Sequence, residues 1–143
     1  VEFCHVSVGR GTDRPFEFIG APYVDDARLA AELNAAALPA VRFIPVRFTP
    51  AGSVFKGQEC RGVQIIVTDR DSVSAVDIGI ILARTLHLLH PGELKIERMQ
   101  KLLVHPPTLE GIRSGKSLES IKTIWLSGRE GFRERRERFL LYR

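Results

Sequence analysis

Three observations predict an α+β fold: a small mixed β-sheet covered by helices, with a helix-rich C-terminal third. Strand-like alternation is confined to the first half of the chain, the hydrophobic period becomes helical at Ser72, and the last third breaks into short helical pieces. A doubly wound parallel sheet would instead alternate strands and helices throughout.

The elements follow in order. Phe3 to Val8 alternates enough for a short strand. The stretch "SVGRGTDRPFEFIGAP", residues 7–22, then opens a loop in which two glycines flank Arg10. Asp25 or Asp26 is placed to cap a helix through Leu33, since "ARLAAELNAAAL" is rich in helix formers, and Pro39 is its expected stop. In "VRFIPVRF", Val41 and Phe43 alternate with Arg42, and Pro45 restricts the segment to an edge or bulged strand. After the glycine-punctuated "GSVFKGQECRG", the run "VQIIVTD" reads as a strand apolar enough for burial on both faces.

From Ser72 to Leu89 the residues Val73, Val76, Ile80, Ala83, Leu86 and Leu89 fall on one helical face, and "HPG" closes the segment. Thr108 starts a further helix that Gly111 and Gly115 weaken. Ser117 caps the next, "LESIKTIWL", whose spacing places Trp125 with Leu118, Ile121 and Ile124 in the core rather than on a sugar-stacking platform. "REGFRERRERFLLYR" makes the last helix, with Phe132, Phe139 and Leu140 as its apolar side.

The chain has 143 residues, 44% hydrophobic and 27% charged, which fits one packed domain over residues 1–143 and excludes a disordered chain. No apolar run approaches the roughly 20 residues of a membrane span. The longest, Ile78 to Leu89, contains Arg84, Thr85 and His87. No signal-peptide pattern precedes the first strand, and the chain is expected to be a cut piece of a longer protein or a stand-alone descendant. Cys4 and Cys60 form no CxxC motif and read as two structural thiols in preference to a bridge.

Several motifs fail on spacing. "EGIRSGKS" ends like a phosphate loop, but the position that needs the first glycine is Glu110, and no buried strand leads into it. "GRG" would need a third glycine where Arg14 stands, and Pro15 biases Arg14 away from a helix start. His87 and His90 lack the further ligands a transition metal requires, so no metal and no cofactor is expected. The net charge is +4, and the segment from Gly128 onward holds six arginines and three glutamates. Because acids are interleaved at helical spacing, that tail reads as a solvated face rather than a nucleic-acid surface.

The opening loop carries the unusual chemistry. Ser7, Thr12 and Asp13 supply donors and acceptors, while Arg10 and Arg14 supply planar forks suited to a carboxylate. Two readings stand: a wall for a polyhydroxylated acid ligand, or a loop stitched to its own backbone with its arginines in surface pairs.

"SVGRGTDRPFEFIGAP", "LNAAALPAVRFIPVRFTP", "GQECRGVQIIVTDRD" and the closing "FLLYR", in this order through nearly the whole chain, resemble the C-terminal domain of the exo-acting β-N-acetylmuramidases. That family releases N-acetylmuramic acid from the non-reducing ends of peptidoglycan fragments. The resemblance implies a missing N-terminal Rossmann-like domain that carries the catalytic carboxylates, a cleft between the domains, and an extracytoplasmic parent. It implies that Ser7, Arg10, Thr12, Asp13 and Arg14 bind substrate, with a lactyl carboxylate on Arg10 or Arg14, and leaves Glu2 as the weak catalytic candidate. Two departures are visible. The usual Glu-Gly-Thr-Asn reads Glu2-Phe3-Cys4-His5, and Ile66 stands where many members carry a histidine. The alternative implied function is a non-catalytic cell-wall carbohydrate-binding or domain-docking module.

Overall fold

The computed structural model describes residues 4–142, so Glu2 and Phe3 lie outside the described residues. Its centre is a three-stranded sheet of β1 (Phe18–Ala21), β2 (Val41–Phe48) and β3 (Cys60–Val67) in the order β1-β3-β2. Both outer strands pair antiparallel with β3, so the sheet is antiparallel throughout rather than mixed. The strands β1 and β2 run parallel to each other, but β3 is inserted between them, and the parallel ladder never forms.

The expected first strand contracts to a single bridge between Ser7 and Gly20, held by hydrogen bonds of 2.8 and 3.0 Å between their main chains. Pro45 sits on β2, an edge strand, where its missing N–H costs no ladder bond on the open side. Helix α1 (Asp26–Ala35) is capped by Asp25, whose carboxylate accepts from the Arg28 N–H at 3.0 Å. It ends at Ala35, before Pro39, because Ala37 takes a left-handed conformation. Asn34 at its end then clamps the open edge of β2. Its amide donates to the Phe43 carbonyl at 2.8 Å and accepts from the Phe43 N–H at 3.1 Å.

Along β3 the burial is uneven. Val63 is fully buried, Ile65 and Ile66 are half-buried, and Val67 is exposed, so the expectation of burial on both faces fails at the strand's C-terminal end. Two faces are involved. Ile65 and Val67 share the face of buried Val63, Phe43 and Val41, on which α1 packs, and Val67 is exposed where the strand ends. Ile66 lies with Phe18, Ile44 and Val46 on the opposite face, which is only partly covered. Near the other end, β1 and β3 pass unusually close. A methyl on Gly62 would lie 2.0 Å from the Ile19 carbonyl oxygen, and one on Gly20 would lie 2.4 Å from that of Arg61.

Helix α2 (Ala75–Leu89) is capped by Ser74 and buries Ile80, Ala83 and Leu86 as its period requires. Val76, assigned to the same face, is 60% exposed in the first turn of α2, where it lines a surface concavity with Trp125. A 3₁₀ turn (Ile96–Met99) leads into α3 (Gln100–Leu103). Helix α4 (Pro106–Arg113) begins two residues before Thr108, with His105 as its cap, and α5 (Leu118–Thr123) is capped by Ser117 as expected. Gly111 lies inside α4 against Ile121, where it permits the close crossing of α4 and α5 rather than weakening the helix. Trp125 is half-buried and packs on the core edge. The last helix, α6 (Leu126–Glu137), leaves Phe132 half-exposed and Phe139 82% exposed, so its expected apolar side faces solvent.

Candidate functional site

The loop from Ser7 to Glu17 hangs from the edge of β1 and is fastened at several heights. The Phe16 N–H donates to the Val8 carbonyl at 2.7 Å, and the Thr12 N–H to that of Gly9 at 3.1 Å. The Thr12 hydroxyl donates to the Gly9 carbonyl at 2.7 Å and accepts from the Arg14 N–H at 3.2 Å. Ser7 is 2% exposed, and its hydroxyl accepts from the Gly9 N–H at 3.3 Å. Its place is therefore beneath the loop. Gly11 adopts φ +78°, a β-carbon there would lie 2.8 Å from that of Ala51, and the Gly52 N–H donates to the Arg10 carbonyl at 3.2 Å. The loop at 49–59 thereby props the loop at 7–17.

This scaffold leaves three of the five sequence-assigned residues exposed and ties the hydroxyls of the other two, Ser7 and Thr12, to the loop's own backbone. Arg10, Asp13 and Arg14 are exposed, and Thr12 is half-buried. The Arg10 guanidinium lies 5.0 Å from the centroid of the Phe16 ring, a cation–π contact made by a residue held at φ 68°. Arg14 pairs with Glu17 at 3.1 Å, and Gln64 donates to the same carboxylate oxygen at 3.3 Å.

Beside the loop, where the sheet is uncovered, lies a groove of about 520 Å³. Its walls are Ile65, Ile66, Val67 and Val73, and its charged groups are Arg14, Glu17 and Arg70. Arg70 follows β3 in a turn that Asp69 holds: its carboxylate accepts from the Ser72 hydroxyl at 2.6 Å and the Asp71 N–H at 3.0 Å. The Ser72 hydroxyl chiefly, with that N–H, holds the Asp69 carboxyl below its ordinary range. Glu17, Gln64 and Arg70 were not singled out from the sequence. The available signals were Glu17 three residues after Arg14, and a charged "TDRD" turn at the end of a strand.

Under the same loop, Tyr23 donates to the His5 carbonyl at 2.8 Å, and its ring meets those of His5, Phe55 and His90. Burial pushes the Tyr23 hydroxyl well above its ordinary value and lowers that of His90. Cys4 and Cys60 are free and buried, and burial pushes the Cys60 thiol up to about 11.

A second cavity, of about 350 Å³, lies on the helical side and is almost wholly apolar, walled by Val76, Ile80, Met99, Leu103 and Trp125. At its edge the Trp125 indole N–H donates to the Thr108 hydroxyl at 2.6 Å, and that hydroxyl lies 2.7 Å from the His105 Nδ1. Among the described residues no cluster of three or more metal-ligating side chains occurs, and no helix is long and apolar enough to cross a membrane.

Comparison with known proteins gives concordant results. Residues 1–142 match the family model described as exo-β-N-acetylmuramidase NamZ, C-terminal. The chain is 37% identical over 145 residues to the peptidoglycan β-N-acetylmuramidase NamZ of Bacillus subtilis (strain 168), covering 99% of this chain and 35% of that protein. It thus spans about a third of the length of that curated relative, which extends well beyond the matched part. Two crystal structures of DUF1343 family proteins from Bacteroides fragilis NCTC 9343 share the fold. The first has a TM-score of 0.72 at 25% identity over 99% of this chain and 39% of that one. The second has a TM-score of 0.65 at 22% identity over 99% and 38%. With the family model matched over residues 1–142 and the relative covering 99% of the chain, the chain belongs to the exo-β-N-acetylmuramidase NamZ family, to the part described as its C-terminal domain.

Proposed function

We propose that this chain forms one wall of the substrate cleft in a glycoside hydrolase that releases N-acetylmuramic acid from the non-reducing ends of peptidoglycan fragments. The observation that carries this reading is the fastened loop. Its backbone is tied to itself and braced at Ala51 and Gly52, so the positions of Arg10, Asp13 and Arg14 are set without ordering the chain on binding, with the Thr12 hydroxyl as one of the ties. Arg10 and Arg14 suit the carboxylate of a muramic acid, and Thr12 and Asp13 suit its hydroxyl and acetamido groups. Ser7 acts from beneath as the loop's internal tie.

Hydrolysis needs two carboxyl groups roughly 5 to 9.5 Å apart across the scissile bond. Of the loop's acids, Glu17 is engaged by Arg14 and Gln64, which leaves Asp13, and Glu2 lies outside the described residues. The catalytic carboxylates are therefore assigned to a further, Rossmann-like N-terminal domain in the full-length protein, extracytoplasmic like the wall it degrades. The 143-residue chain alone is expected to be inactive.

The test is an amide-resolved NMR titration of this chain with a muramic-acid disaccharide, followed by Arg10→Ala and Arg14→Ala in the full-length enzyme. Shifts confined to residues 7–17 and weaker substrate affinity in at least one variant are expected. Unchanged affinity in both variants removes the loop from the cleft.

A second reading has its own observation. Phe132, Phe139, Leu141 and Tyr142 stand exposed on and after α6, as a domain-docking module would require. In that case the tail seats against the rest of the full-length protein. No shifts from a folded chain in the titration would favour this description.

A further inference from the structure

The proposed cleft leaves open which cation reads the ligand's carboxylate. We infer that the groove between the 7–17 loop and the uncovered end of β3 is the carboxylate subsite, with Arg70 as the residue that reads the charge. This rests on the muramidase reading above and deepens it.

The argument compares three guanidinium groups. Arg10 is stacked over the Phe16 ring at 5.0 Å, which uses its planar face. Arg14 is paired with Glu17 at 3.1 Å, so its charge is already met by a carboxylate on the same loop. Arg70 lines the same groove as Arg14 and Glu17, and none of the ion pairs among the described residues involves it. Its neighbour Asp69 is occupied by Ser72 and the Asp71 N–H, which fixes the turn that carries Arg70. With Arg14 and Glu17 cancelling, the charged groups lining the groove carry one net positive charge, on Arg70.

The walls narrow the ligand further. A lactyl group is a carboxylate with a methyl on the adjacent carbon, so its site needs a cation and an apolar surface side by side. The groove supplies the second through Ile65, Ile66, Val67 and Val73, of which Val67 is exposed and the other three are half-buried. A neutral sugar would gain from the wall but not from the cation. A simple inorganic anion would gain from the cation but not from the wall.

The experiment uses the full-length protein carrying this domain, with calorimetric titration of N-acetylmuramic acid and of its lactyl amide, in which the charge is removed. Wild type should bind the acid more tightly than the amide. Arg70→Ala should weaken the acid about tenfold or more while moving the amide less than about twofold. Arg70→Lys should recover part of the loss, since it restores charge without the fork. An acid preference that survives Arg70→Ala, or that vanishes only in Arg10→Ala, overturns the groove assignment and leaves the muramidase reading in place. Equal weakening of acid and amide also overturns it. Binding of neither ligand by wild type overturns both.

Discussion

The loop from Ser7 to Glu17 has almost no regular secondary structure and α6 has nothing else, yet the loop is the better anchored of the two. Around the loop, the Val8, Gly9 and Arg10 carbonyls accept from Phe16, Thr12 and Gly52 N–H groups, and a neighbouring loop braces it at Gly11. Helix α6 has its backbone in regular hydrogen bonds, but its large apolar side chains Leu126 and Phe132 are each about half exposed. Regularity is a property of backbone hydrogen bonds, whereas anchoring depends on what each segment buries. A polar loop can bury its backbone, and a helix can leave its side chains unburied.

That contrast can be broken at measurable points. Gly11→Val should have the largest effect, because it combines a left-handed backbone with a side chain 2.8 Å from the Ala51 β-carbon. A loss of about 2–4 kcal/mol in urea unfolding is expected. Thr12→Val removes both hydrogen bonds of the hydroxyl, to the Gly9 carbonyl and from the Arg14 N–H, at about 1–2 kcal/mol. Faster hydrogen exchange at the Arg14 amide is the accompanying sign, and unchanged exchange would mean the loop is held elsewhere. Deleting residues 139–143 should be the mildest change to this chain, within about 0.5 kcal/mol, since Leu141 and Tyr142 are 91% and 88% exposed. The same deletion in the full-length protein should cost measurably more if the tail is covered there. An equal, negligible cost in both would leave α6 without a docking role.

Most elements were legible because their signals are local. Asp25, Ser74 and Ser117 cap helices where side-chain oxygens can reach free N–H groups, and Pro45 marks an edge strand through a donor it lacks. The failures were of context. Nothing local distinguishes Ile66 in a buried strand from Ile66 at an uncovered end, because that depends on whether another element lies across the face. Val76 has core spacing but is 60% exposed, and Phe139 belongs to an apolar stripe but is 82% exposed. Within the loop, residue chemistry left a ligand wall and a self-stitched loop both open; the structure spends the Ser7 and Thr12 hydroxyls internally and leaves Arg10, Asp13 and Arg14 exposed. Arg70 was invisible for a different reason: its neighbours in the groove come from a loop some fifty residues earlier.

The close passage of β1 and β3 has a consequence for how this fold can be inherited. Gly20 and Gly62 face each other across the ladder, and a side chain on either would meet main-chain atoms that cannot move aside as a rotamer can. Two distant codons are thereby tied to one interstrand spacing. The strand that carries Gly20 also carries the loop, through the bridge to Ser7. A descendant that changed one glycine would not simply lose stability: it would have to open the sheet, and in opening it would re-aim Arg10, Asp13 and Arg14 together. The two glycines act as a gauge that sets the direction in which the loop points, although neither reaches the surface where a ligand would meet it.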